Sequence, residues 1–376
     1  MPFFKELSAP VSSDRVIFNV DLDYLFAQCE EIRNPNIKGK PVIICVYSGR
    51  SENSGAVSTT NYEAREYGVK SGIPIRDAQT YLKDVESIFL PVDREYYEAI
   101  SIRIMSTLKD FAIHFENTSI DEAYLDVGKI VNYNYQTSER YALHIKNKIK
   151  IIYNLTCSIG IGPNKIISKI ASNYKKPNAI TLIPPKKVID FLNPLPINKL
   201  PGIGTKYKNK LKKIKVNQIQ DLRELKIDTL QHMFGVKLGL YFYLASRGIH
   251  NEQVIDNKKF EQISRIITLK ENTRDEKEIV NKINGLSLEL YTRIQKEKIR
   301  YKSIGVIVFM DDLTIHTRSK TLDTYSDDFN NIFINSKELI KNLLNETSLR
   351  VRRLGIKIFN LEDLHGQKTL LDFINK

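Results

Sequence analysis

Ser119-Ile-Asp-Glu-Ala-Tyr-Leu-Asp126 sets two adjacent carboxylates, Asp121 and Glu122, between apolar residues in a segment that reads as a strand. Charge in such a place is costly unless something compensates it. A divalent cation would do so. Upstream, Val16-Ile-Phe-Asn-Val-Asp-Leu-Asp23 is a second apolar run, ending in two aspartates. Two strands that bring Asp21 beside Asp121 and Glu122 would form an all-oxygen cage suited to Mg²⁺. Strand ends also carry Asp as ordinary turn residues, so neither segment decides alone.

The length of 376 residues allows roughly two to four domains. Hydrophobic content of 42% and charged content of 27% is the balance of a globular protein. There is no apolar run of bilayer length and no signal-peptide pattern at the N-terminus, so the expectation is an intracellular, cytoplasmic protein without membrane contact. Cys29, Cys45 and Cys157 are far apart among apolar neighbours and read as buried thiols. Scattered histidines argue against zinc. Lys and Arg outnumber Asp and Glu by 57 to 44, a net charge of +13, which suits a polyanionic partner.

Along the chain, a strand over 15–21 leads into a helix over 24–33, stopped by Asn34-Pro35. Pro41–Tyr47 is a buried strand, and Gly55–Gly68 a strand that breaks into a helix. Tyr62 and Arg65 share a face of that helix, a pairing of hydroxyl and guanidinium that suits a polyphosphate or simply a solvated surface. Helices over 93–113 and 143–153 flank the acidic strand. Thr156–Gly162 is a strand whose glycines permit close backbone approach. Asn164–Asn178 reads as a helix carrying Lys165, Lys169, Lys175 and Lys176 up to a proline stop. Together these make an α+β sheet with carboxylates along one edge.

Farther on, Leu200-Pro-Gly-Ile-Gly-Thr205 precedes a run of lysines from Lys206 to Lys215. A tight Gly202/Gly204 turn at a helix N-terminus is a seat for phosphate, and the whole reads as a helix-hairpin-helix that grips a nucleic-acid backbone. Residues 251–262 read as a linker. Strands over 263–270, 302–311, 313–321 and 351–359, with helices over 276–297 and 335–345, give the order β-α-β-β-α-β of a ferredoxin-like split unit. Thr314, His316, Arg318 and Lys320 alternate onto one side, and the last strand adds Arg350, Arg352 and Lys357; such a face is either DNA-binding or merely solvated. In the tail, Gln367, Leu370, Phe373 and Ile374 would form a one-turn plug for a partner's pocket.

With these motifs in this order, the chain resembles the Y-family, or translesion, DNA polymerases, in particular their archaeal DinB-type branch, from about residue 15 to the C-terminus. The match rests on Val20–Phe26, Tyr62-Glu-Ala-Arg65, Ser119–Asp126, Lys176-Pro-Asn178 and Leu200–Gly204. The resemblance implies an α+β right hand: leader and first palm segment 1–24, fingers 25–91, palm 92–183, helix-hairpin-helix thumb 184–250, linker 251–262, little finger 263–361 and clamp-binding tail 362–376. The palm would be ferredoxin-like and the fingers small.

By the same resemblance Asp21, Asp121 and Glu122 hold two Mg²⁺ ions, for which Mn²⁺ can substitute, with the Leu22 carbonyl as a further ligand. Tyr24, Thr59, Tyr62, Arg65 and Lys176 would bind the nucleotide, and Phe26 would exclude a ribose 2′-hydroxyl. Lys169, Gly202, Gly204, Lys206, Arg318, Arg352 and Arg353 would touch DNA, and Gln367, Leu370, Phe373 and Ile374 a sliding clamp. The implied activity is monomeric, template-directed addition of dNTPs to a primer-template, tolerant of damage and without proofreading, since no segment remains for an exonuclease.

Because neighbouring strand residues face opposite ways, Asp121 is the surer ligand and Glu122 needs a local twist. Three departures stand out: polar Asn19 in an apolar strand, Ala179 where the family pattern suggests Gly, and the 14-residue leader. A non-catalytic DNA-binding scaffold and a nucleotidyl cyclase are the alternatives; the carboxylate trio argues against the first, the Leu-Pro-Gly-Ile-Gly turn and the tail against the second.

Overall fold

The computed structural model describes residues 15–256 and 261–363. The leader and the clamp-motif residues Gln367, Leu370, Phe373 and Ile374 lie outside the described residues. Two compact units are present. One carries the palm sheet and the helices that follow it; the other joins Cys45–Ser58 and Ser71–Lys83 to the C-terminal sheet.

Strand β1 (Ile17–Leu22) is buried throughout. Alternation sends Phe18, Val20 and Leu22 into the main core and leaves Asn19 and Asp21 on the opposite face. Helix α1 (Leu25–Arg33) ends at Asn34, as the following proline requires. The chain continues through β2 (Val42–Tyr47), β3 (Gly55–Thr60), α2 (Tyr62–Glu66), α3 (Ile75–Tyr81) and β4 (Ile88–Pro91), with strand order β3-β2-β4. Asn61 caps α2 by accepting from the Ala64 N–H at 3.2 Å.

The palm is completed by α4 (Arg94–Lys109), β5 (His114–Asn117), β6 (Glu122–Asp126), α5 (Tyr135–Tyr153), β7 (Cys157–Gly162), α6 (Lys165–Ser172) and β8 (Ile180–Leu182). The sheet runs β5-β6-β1-β7-β8, with β6 and β7 antiparallel to the central β1. Ile104 and Leu108 of α4 and Ile145 and Ile149 of α5 pack on the face that carries Phe18 and Val20. This is the ferredoxin-like palm the sequence implied.

Helix α6 lies against the other face. It approaches so closely that a Cβ at Gly160 would stand 2.0 Å from the Ser168 carbonyl oxygen and 2.2 Å from the Ser172 nitrogen. The helix is shorter than the expected 164–178. Asn164 caps its start, accepting from Ile167 N–H at 3.1 Å, and it stops at Ser172. Nor is it a solvated basic helix. Seven of its eight residues are buried, because it is wedged on the sheet. Lys165 turns inward to Glu116 and Glu252, each at 2.7 Å, so Glu252, in the stretch read as a linker, packs on the palm.

Five helices follow: α7 (Val188–Leu192), α8 (Thr205–Lys212), α9 (Ile219–Glu224), α10 (Ile227–Phe234) and α11 (Val236–Ala245), around Leu200, Ile203, Leu211, Leu230 and Phe242. Gly202 has φ +88° and needs glycine; Gly204 has φ −80° and does not.

The C-terminal sheet comprises β9 (Gln262–Thr273), β10 (Ile299–Met310), β11 (Ile315–Ser326) and β12 (Val351–Asp363), with helices α12 (Glu276–Glu297) and α13 (Phe329–Asn345). The element order is as expected, and β12 is the strand that lies between β9 and β10. Helix α13 begins six residues before the apolar pattern suggested, with Asp328 capping the Asn330 N–H at 3.0 Å.

The basic face divides in two. His316, Arg318 and Lys320 pair across the strands with Val308, Val306 and Ile304, which are core residues. They therefore point toward the helices and not to the open face. Arg318 bonds Glu346, and Lys320 meets Glu338 at 3.1 Å. Arg353 and Lys357 pair with Phe309 and Gly305 and look the other way. Arg352 falls in a register irregularity between Val351 and Arg353. Among the described residues no helix is long and apolar enough to cross a membrane.

The Gly160 contact yields a direct test. Gly160→Ala must push α6 off β7, because the clashing atoms are backbone, and should cost about 3 kcal/mol or more. Urea denaturation beside wild type measures the loss.

Candidate active site

The antiparallel register sets Asp21 opposite Glu122, and directly paired residues present their side chains to the same face. Two carboxylates thus stand together on the side covered by α6. Lys169 neutralises both, its Nζ lying 3.2 Å from Asp21 Oδ2 and 2.5 Å from Glu122 Oε2. Lys176 Nζ bonds the other oxygen of Asp21. Burial works against the Lys169 charge, but Asp21 and Glu122 outweigh it and hold the ammonium pKa above its ordinary value. Lys169, which the resemblance implied as a DNA contact, reaches the carboxylates here because α6 is wedged on the sheet.

Register, meanwhile, places Glu122 and not Asp121 opposite Asp21. Asp121 precedes β6 and is not within it. Its carbonyl accepts from the Leu22 N–H at 2.8 Å, and its carboxylate accepts from Ser119 Oγ at 2.5 Å. Glu122 needs no twist, because cross-strand register puts it on the face of Asp21. Among the described residues, no group of three or more His, Cys, Asp or Glu side chains stands close enough to hold a metal. The chemistry of the donors nonetheless fits a hard cation: carboxylate oxygens, beside the Leu22 backbone. Two ammonium groups already converge where positive charge is needed.

Polar residues that the sequence left without a role complete this face. Asn19 is fully buried. Its Nδ2 donates to Glu122 Oε1 at 2.7 Å, and Ser172 Oγ donates to its Oδ1 at 2.5 Å. Asp23, also fully buried, accepts from Thr156 Oγ1 at 3.0 Å, Ser158 Oγ at 2.7 Å and the Asn178 N–H at 2.8 Å. It thereby pins the Lys176-Pro-Asn178 loop to the sheet. The signal was available: Asn19, Asp21 and Asp23 are polar at every second position of an otherwise apolar strand. Ala179 brings no strain, since the left-handed turn falls on Asn178, at φ +54°, and Asn tolerates that region.

The remaining predicted residues form an aromatic wall. Phe26 stacks on Tyr97, centroids 4.4 Å apart and planes at 18°; the Tyr97 hydroxyl donates to Glu30 at 2.8 Å. Tyr24 meets Tyr62 edge-on at 5.3 Å, and the Arg65 guanidinium lies 4.5 Å from the Tyr62 ring centre. The Tyr62 hydroxyl is buried without a hydrogen-bond partner among the described residues. Thr59 is half-buried on β3. Gly202 and Gly204 line a cleft of about 400 Å³ together with Lys169 and Asn173, and Lys206 is exposed on α8.

Comparison with known proteins accords with this arrangement. The impB/mucB/samB family matches residues 20–173, its C-terminal domain residues 261–370, and the DNA polymerase-iota thumb domain residues 198–250. DNA polymerase IV of Nitrosopumilus maritimus is 39% identical, over 96% of this chain and 99% of its own length. DNA polymerase IV of Saccharolobus solfataricus is 36% identical, over 95% and 99%. Among solved structures, a Y-family DNA polymerase chimera of Dbh and Dpo4 superposes with a TM-score of 0.87 at 36% identity, over 93% of this chain and 99% of that one. An insertion ternary complex of Dbh DNA polymerase gives 0.69, also at 36% identity and with the same coverage.

Proposed function

The chain belongs to the DinB-type Y-family DNA polymerases and is a DNA-directed DNA polymerase, and we propose that its chemistry is centred on Asp21 and Glu122. One observation carries this reading: two carboxylates share a sheet face and draw in two ammonium groups. Asp121, one residue outside the strand, would swing in as the third ligand, and the Leu22 carbonyl as a fourth. The resident cation is proposed to be Mg²⁺, in two copies, with Mn²⁺ as a substitute. Held by these residues, such ions would supply acidification of the primer 3′-hydroxyl and neutralisation of charge on the leaving pyrophosphate.

The protein's own groups bind and orient. The unpartnered Tyr62 hydroxyl, Arg65 and Lys176 supply donors to the dNTP triphosphate, with Tyr24 and Thr59 beside them. Lys176 serves this role only after it leaves Asp21. Phe26, backed by Tyr97, is a flat apolar wall against which a ribose 2′-hydroxyl is crowded and unsatisfied. Gly202, Gly204 and Lys206 seat the DNA backbone; on the C-terminal sheet Arg353 and Arg352 are the better placed partners, and Arg318, tied to Glu346, the weaker. Low-fidelity synthesis past damaged bases by a monomer, and capture of a sliding clamp by Gln367, Leu370, Phe373 and Ile374, belong to the same proposal.

Primer extension tests it. Asp21→Ala and Glu122→Ala should each reduce dNTP incorporation by roughly 1,000-fold or more while primer-template binding is retained; full activity in either removes the metal assignment. Phe26→Ala should narrow the preference for dNTP over rNTP by about 10- to 100-fold, read from kcat/KM for the two sugars. Lys169→Met, which clears an ammonium from the cation's place, should tighten Mn²⁺ binding to the DNA-free protein severalfold, measured by the loss of the free-Mn²⁺ resonance.

A further inference from the structure

We infer that Asn19 is a positioning residue for Glu122, fixing the carboxylate in the orientation that lets it share a cation with Asp21. The inference rests on the reading of Asp21 and Glu122 as metal ligands and concerns what makes Glu122 competent. The Glu122 carboxylate is bonded through both its oxygens. Oε2 faces Lys169, and Oε1 accepts from Asn19 Nδ2 at 2.7 Å. The first partner is a mobile type of group, a single ammonium on a flexible stem. The second is a buried strand residue with no freedom to leave.

The orientation of the amide follows from chemistry. An ionised carboxylate only accepts, so the Asn19 atom facing Glu122 must be the NH₂ group. Its carbonyl oxygen then faces Ser172, whose hydroxyl lies 2.5 Å away. That hydroxyl is also 2.9 Å from the Lys169 carbonyl; its one proton goes to the closer Asn19 oxygen. A chain of bonds therefore runs from α6 through β1 to β6, from Ser172 to Asn19 to Glu122. Gly160 stands opposite Asn19 in the sheet, and the absence of a side chain there lets Ser172 come near enough to make the first bond.

A cation that displaced Lys169 from Oε2 would leave the bond from Asn19 to Oε1 in place. Partners of this kind fix ligand orientation, and losing one typically costs roughly 10- to 100-fold in metal affinity. An apolar side chain of the same size at position 19 would leave Oε1 without this donor and Glu122 free to turn away.

The test is titration of Mn²⁺ into the full-length protein without DNA or nucleotide, followed by the free-ion resonance. Wild type, Asn19→Leu, Ser172→Ala and Asp21→Asn are compared. Asn19→Leu should weaken binding by about 10-fold or more, and Ser172→Ala, which touches neither ligand, by a few-fold. In primer extension the Mg²⁺ concentration for half-maximal rate should rise in Asn19→Leu, with the rate recovered at high Mg²⁺. If Asn19→Leu does not fold, Ser172→Ala carries the decision. Wild-type Mn²⁺ affinity in the folded Asn19 and Ser172 variants, together with loss in Asp21→Asn, overturns the role of Asn19 alone. Unchanged binding in Asp21→Asn overturns the metal reading as well.

Discussion

The repulsion between Asp21 and Glu122 is the constraint around which the palm is arranged. Two carboxylates held at directly paired places on neighbouring strands repel each other when both are charged. A sheet cannot relax this by moving apart, because the register that pairs the residues also buries Phe18 and Val20 on the other face. The charge must be met in place. Lys169 and Lys176 meet it from the α6 side, and a buried amide at Asn19 takes up a remaining oxygen.

That solution depends on how near α6 lies to the sheet. Gly160 removes the side chain that would hold the helix away. With the helix close, its first turn sends Lys165 into Glu116, its middle sends Lys169 to the acidic pair, and its last residue, Ser172, orients Asn19. The loop after α6 is tied down by Asp23, which accepts the Asn178 N–H, and this sets where Lys176 emerges. One helix thus serves as a lid of cations over one face. An ammonium is a weakly directional point charge that a divalent ion can displace, whereas Asn19 and Asp23 are buried and fixed.

The net positive charge is accordingly spread over different tasks. Lys165 and Lys169 neutralise buried or half-buried acids and lend little to an outward field. Arg318 and Lys320 are engaged by Glu346 and Glu338. The exposed lysines beside the Gly202 turn, with Arg353 and Lys357 on the open sheet face, are among the charges left for a polyanion. An excess of +13 therefore overstates the field at any one surface.

Sequence alone determined the type and order of the longer elements and the identity of the acidic motif, whereas the short α3, β4, β5 and β8 were not legible there. Apolar periodicity, Asn and Asp caps and proline stops act locally, so β1, α1, the Gly202 turn and the β-α-β-β-α-β order were legible before any fold was known. The shared face of Tyr62 and Arg65 followed from helical spacing in the same way, whereas the contacts of Phe26 with Tyr97 and of Tyr24 with Tyr62 did not. Tertiary structure alone decided which charges meet. Whether Glu122 or Asp121 faces Asp21 depends on cross-strand register, and whether Lys169 points to DNA or to the acids depends on how closely α6 packs. The role of Asn19 depends on both, because its partners come from β6 and α6, more than a hundred residues away in the chain. The face taken by Arg318 likewise rests on which side of the sheet the helices cover. Local sequence fixes the period of a strand, but only pairing with distant strands fixes its phase.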